Sequence, residues 1–335
     1  MKKKIIISIA LILSLAAIIS AVVISHPGTS SEKTTVSTSQ TTAKNKTNLA
    51  YKAIDSAADT VEKTPSGILT GIVTSKIVPV NIKSFILDKC SSDFILLDYD
   101  RLKNILTDAD ANNILRYNIL CYLSSVYGSN EGFSDVLYSL CSDDDEDLSF
   151  SALRSLYFHD RSKALSFIKT VIYERPDDFS PDKVDTALGY MARDIRDHSS
   201  DYATGDEKNR FIEYCKNSVD NGTDAASALS LLATLNTPET TVFVLTNSKT
   251  DDCIKETVMQ DYYYSLRDYV FNGGVTLEKT EFYLDCFAYG KPEAAITDLE
   301  SILTDAPALF GDKADEITVR LTETLDAVKE ANNID

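Results

Sequence analysis

The sequence predicts an all-α fold, an α-solenoid of antiparallel helical hairpins, on three observations. The first is the stretch Asp147–Pro176. Leu148, Ala152, Leu153 and Leu156 recur at helical spacing, and His159-Asp160 interrupts the pattern. Ala164, Leu165, Ile168, Val171 and Ile172 form a second stripe, which Pro176 ends. This reads as a helix, a two-residue turn and an antiparallel helix, each with one apolar face that needs a neighbouring hairpin to cover it. The second observation is recurrence. Ile119-Leu120-x-x-Leu123, Ala152-Leu153-x-x-Leu156, Ala187-Leu188-x-x-Met191, Ala228-Leu229-x-x-Leu232 and Tyr283-Leu284-x-x-Phe287 fill equivalent slots, at intervals that lengthen along the chain. The third is scarcity of turn formers, since 12 Gly and 8 Pro in 335 residues suit long helices.

The chain begins differently. Lys2, Lys3 and Lys4 precede an uncharged run, Ile5–Ser25. At about 1.5 Å per residue this run spans roughly 30 Å, the thickness of a bilayer core. A cleaved secretory signal has a shorter apolar region, so residues 1–25 are expected to be an uncleaved membrane anchor. Three lysines ahead of the span and none close behind put the N-terminus in the cytoplasm and the body outside the cell membrane. Residues 26–48 are expected to be a flexible stalk. From Thr29 to Thr47 more than half of the positions are Ser or Thr and none is aromatic, too little apolar surface to offset the entropy of ordering.

The helical repeat domain is expected over 49–335. A first helix is predicted over Asn48–Glu62, stopped by Pro65 and Gly67, and Ile68–Val80 is either a hairpin-like piece or a poor helix. Gly67 and Gly71 form a G-x-x-x-G pair, read here as a packing contact. Helical periodicity resumes at Asn81. The last repeat gap is long because Cys253–Phe271 is predicted as an additional helix, closed by Asn272-Gly273-Gly274. Ser180-Pro181 and Thr237-Pro238 each place a capping side chain before a proline at the first helical position. Asp312–Ala331 closes the chain as an amphipathic helix.

Over residues 82–310 this layout resembles the HEAT-like family of α-helical repeats, and Asp160 falls where that family often has an acidic turn residue. The spacings are less regular than that family's, and the first helices lack its kinking proline. Tetratricopeptide arrays hold to a stricter period and fit less well. The resemblance implies a curved interaction surface and no particular ligand.

Charge narrows the partners. The formal charge is −18, and six lysines with one acidic residue in the first 48 positions leave residues 49–335 near −23. A body this acidic does not hold nucleic acid through its phosphates, and it steers towards a protein partner with a basic patch. Membrane contact is expected only through the N-terminal helix.

No catalytic constellation is legible, and neither an enzyme nor a bound cofactor is expected. The histidines are His26, His159 and His198, with no H-E-x-x-H and no G-x-S-x-G elbow. The six cysteines lack C-x-x-C spacing. Cys90, Cys141 and Cys215 fall in apolar slots, which favours buried thiols over disulfides. Asp143–Asp147 and Asp108-x-Asp110-x-Asn112 lack the pattern of a calcium loop, and as both precede predicted helices, capping is favoured over metal. The enzyme alternative is a helical toroid acting on cell-wall glycan or peptide. It would normally use tryptophan platforms, and the chain has no tryptophan.

Two clusters remain as candidate partner-binding residues. Asp143, Asp144 and Asp145 stand at a junction of predicted repeats, and Tyr262, Tyr263 and Tyr264 lie in the inserted helix. Successive residues on a helix point about 100° apart, so at least one of these tyrosines must be exposed or cover an edge.

Overall fold

The computed structural model describes residues 55–130, 132–202, 204–222 and 224–334. These contain sixteen complete α-helices and no strand. The predicted anchor, the stalk and the start of the helix expected from Asn48 lie outside the described residues, although residues 55–62 are helical. Among the described residues no helix is long and apolar enough to cross a membrane.

The described helices fall into two units, one ending at Lys183 and one beginning at Val184. The first holds α1 (Ser66–Val73), α2 (Val80–Ser92), α3 (Tyr99–Leu106), α4 (Asn113–Tyr127), α5 (Phe133–Leu140), α6 (Glu146–His159) and α7 (Arg161–Lys169). Here α2 packs on α4 and α4 on α6, while α5 packs on α7; α3 pairs with α4, α5 with α6, and α6 with α7. Helices thus meet the next along the chain and the next but one, as stacked hairpins do. After α8 (Pro181–Asp197), which crosses the boundary, the second unit continues with α9 (Asp206–Asn221), α10 (Ala225–Thr234), α11 (Pro238–Thr246) and α12 (Asp252–Asp261). It ends with α13 (Tyr263–Phe271), α14 (Leu277–Cys286), α15 (Ala295–Phe310) and α16 (Ala314–Ala331). The same order recurs there: α10 packs on α12, α11 on α13 and α14 on α16, beside pairs of chain neighbours. This all-helical arrangement is compatible with an α-helical repeat layout.

Each of the five recurring slots is core. Ile119, Leu120, Leu123, Ala152, Leu153 and Leu156 are buried, as are the corresponding residues of α8, α10 and α14 together with Phe287. Short polar side chains start the helices by accepting an otherwise unpartnered backbone N–H. Asp98 accepts from the Arg101 N–H at 3.1 Å, Asn112 from Leu115 at 3.1 Å and Asp251 from Ile254 at 2.8 Å. Ser180 and Thr237 cap ahead of their prolines as expected, Thr237 in a reciprocal box with Thr240.

Several details differ from expectation. The turn inside the Asp147–Pro176 hairpin is Asp160 alone; it ends α6 and caps α7 by accepting the Lys163 N–H at 3.1 Å. In the second stripe Phe167 takes the buried place expected of Leu165, and residues Thr170–Glu174 continue α7 as a π-helical turn. Ile68–Val80 resolves into α1 and a turn; the helix before it ends at Glu62 as expected, and Pro65 is also the N-cap of α1. Among the described residues the Gly67/Gly71 pair makes no packing contact, since a Cβ at either position would meet nothing within 4 Å there. Gly128 and Gly290 are the described glycines with a packing reason: a Cβ at Gly128 would fall on the His159 ring, and one at Gly290 would lie 2.7 Å from the Cβ of Met259.

All six thiols are free. Cys90, Cys141 and Cys215 are buried as expected, joined by Cys286, and burial pushes all four up to about 12. A thiol held so far above neutral pH is a packing group with little nucleophilic character.

Candidate functional site

The acidic run occupies the loop between α5 and α6 and the first turn of α6. Its members have different jobs. Asp145 is the N-cap of α6 and accepts the Leu148 N–H at 2.9 Å. Asp143 turns inward to Arg116 of α4, which donates Nη1 to Oδ1 at 3.2 Å and Nη2 to Oδ2 in a two-pronged pair. The same guanidinium donates Nε to the Leu106 carbonyl at 3.0 Å, tying the end of α3 to α4. Asp143 Oδ1 also accepts the Asp145 N–H at 3.1 Å. Burial alone would raise the Asp143 carboxyl. The Arg116 and Asp145 hydrogen bonds, with the charges of Arg116 and Lys183, instead hold it below the usual carboxylate range. The capping expected of Asp108-x-Asp110-x-Asn112 is present too, through Asn112.

Asp144, Glu146 and Asp147 remain. They are exposed, and among the described residues none of their side chains takes part in a hydrogen bond or an ion pair. Glu146 and Asp147 sit in the first turn of α6, where the helix dipole favours negative charge without neutralising it. The run stands between two clefts. One, about 370 Å³, has Asp143, Asp144, Glu146 and Asp178 facing Arg175 and Lys183. The Lys183 ammonium is largely buried, 3.5 Å from the Asp143 carbonyl and 5.8 Å above the Phe179 ring. The other, about 400 Å³, lies between α4 and α6 and is lined by Asn113, Ile114 and Tyr117 of α4 and by Asp145, Asp147, Phe150 and Ser151 at the start of α6.

The tyrosine run belongs to the second unit and is not a continuous helical face. Tyr262 has φ −122° and ψ 20°, which breaks the predicted single helix into α12 and α13. Tyr263 is 2% exposed and is therefore corrected from a surface contact to a core residue. Its hydroxyl donates to Asp298 Oδ2 at 2.7 Å and meets the Tyr283 hydroxyl at 2.5 Å. Arg267 Nε completes the cluster, 2.9 Å from Asp298 Oδ2. Burial, with the neighbouring Tyr283 and Asp298, pushes the Tyr263 phenol far above its usual range. Tyr264 alone is open, at 67% exposure.

Sequence reasoning missed Arg116, which lies 27 residues from its partner, and the cleft between α4 and α6. A signal for the cleft was present. Ile114, Tyr117 and Cys121 follow helical spacing on α4, out of phase with its buried stripe Leu115, Ile119, Leu120 and Leu123. Compared with known proteins, the chain matches no family model, no curated protein and no solved structure.

Proposed function

We propose that this chain is a membrane-anchored, extracytoplasmic α-solenoid of HEAT-like layout that serves as a docking scaffold for a protein with a basic patch. Supporting the anchor are the Lys2–Lys4 cluster, the uncharged Ile5–Ser25 run and the Ser/Thr-rich stretch behind it. The helical order within each unit supports the repeat reading. The observation that carries the docking role is the division of labour in the acidic run. Asp143 and Asp145 are committed to folding, whereas Asp144, Glu146 and Asp147 stay exposed beside two clefts. Fixed, unpaired carboxylates on a body near −23 accelerate encounter with a basic surface and repel acidic ones.

The test is a photocrosslinking residue at position 144 in intact cells. The expected adduct joins this chain to a protein with a basic segment on the outer side of the membrane, and it fades as salt is raised. Adducts confined to cytoplasmic proteins would overturn the topology. An acidic partner captured without salt sensitivity would overturn the docking chemistry.

A further inference from the structure

Single exposed apolar side chains are ordinary on any protein surface. On α4 two of them share one cleft. Ile114 is 63% exposed and Tyr117 39%, one helical turn apart, with Phe150 of α6 facing them. Asp145 and Asp147 are among the lining residues, and no lysine or arginine is. Arg154 lies further along α6, near enough to Cys121 to draw that thiol's pKa down against the stronger effect of burial. The cleft therefore sets carboxylates from the start of α6 beside the apolar groups of Ile114, Tyr117 and Phe150. Its volume of about 400 Å³ falls in the range of small-ligand sites and admits a large side chain. A second copy of this chain would bring another body near −23 against the same carboxylates, which long-range repulsion opposes.

We infer that the cleft between α4 and α6 seats an apolar side chain from a basic segment of the partner protein, with that segment's lysine or arginine held at Asp147, the exposed carboxylate among the lining residues. This rests on the docking role proposed above and adds the feature that separates one basic partner from another. Charge alone favours any basic chain. The Ile114 and Tyr117 faces favour one that places an apolar group beside its charges.

The experiment uses the full-length protein in phosphatidylcholine nanodiscs and three labelled synthetic peptides, read by fluorescence anisotropy. One is a Lys/Ser peptide with a central Phe-Leu pair, the second has Ser-Ser in that place, and the third is a Glu/Ser peptide with the Phe-Leu pair. The first is expected to bind roughly tenfold more tightly than the second, the scale of one partly buried apolar side chain. Ile114→Gln or Tyr117→Gln should each erase most of that increment and leave the weaker, salt-sensitive binding of the Lys/Ser peptide intact. Equal binding of the two lysine peptides, or an increment that survives both substitutions, overturns the cleft assignment while the acidic docking face stands. Failure of both lysine peptides to bind overturns the two together. Tight binding of the glutamate peptide overturns the assigned charge. Concentration-dependent self-association that Ile114→Gln abolishes would give the cleft to a second copy and overturn the proposal.

Discussion

Replacing Asp143 with alanine is expected to destabilise the protein by about 3 kcal/mol or more, the usual cost of removing one partner from a buried ion pair. Arg116 is almost wholly buried, and Asp143 supplies the carboxylate it faces. The substitution also removes the acceptor of the Asp145 N–H at the start of α6. Much of the cost arises from stranding a buried guanidinium, so changing both partners should recover most of it. Arg116→Met with Asp143→Leu is expected to lie nearer the wild type than Asp143→Ala does. Urea unfolding of the three variants checks this. A loss below about 1 kcal/mol in Asp143→Ala would mean that the pair behaves as a solvated surface contact.

The same pair sets a pH dependence with a definite sign. Asp143 is held below its unfolded value of about 3.9, so its stabilisation is complete above that value and fades as pH falls towards the folded one. The stability gap between wild type and Asp143→Asn should therefore narrow as pH is lowered below about 4.

The second large effect is in the repeat core. Leu153→Ala and Leu156→Ala are each expected to cost about 2–5 kcal/mol, because both side chains are buried and the emptied space has little room to collapse. Leu165 provides the comparison within the same hairpin. It lies only part-way into the core, with Phe167 in the place the stripe reserved for it, so Leu165→Ala should cost distinctly less. An unchanged melting temperature in Leu156→Ala would mean that this stripe does not hold the hairpin to its neighbours.

These cases show where the sequence was readable. The five recurring slots were legible because helix periodicity and burial are both local properties, and all of their residues are buried. The caps at Ser180 and Thr237 were legible because a helix start is decided within four residues. The break at Tyr262 was hidden, since no glycine or proline marks it and Tyr263 is drawn inward by Tyr283 and Asp298 from later helices. The Arg116–Asp143 pair was hidden for the same reason, as it is formed between elements 27 positions apart. Taken from sequence, the acidic run reads as helix capping, with Asp143, Asp144 and Asp145 together as candidate partner contacts. The structure divides it into residues that build the α5–α6 junction and residues that face solvent.

That division leads to the most direct measurement: the association rate of the captured partner with the full-length protein, followed from about 50 to about 500 mM salt, where the screening length shrinks to a few Å. The comparison is with Asp144→Asn/Glu146→Gln/Asp147→Asn, which leaves Asp143 and Asp145 in place. The wild type should associate more slowly as salt rises. The variant should start slow at low salt and meet the wild type at high salt, with dissociation little changed. Superimposed curves for the two proteins, or an association rate indifferent to salt, would contradict a docking role for the acidic face.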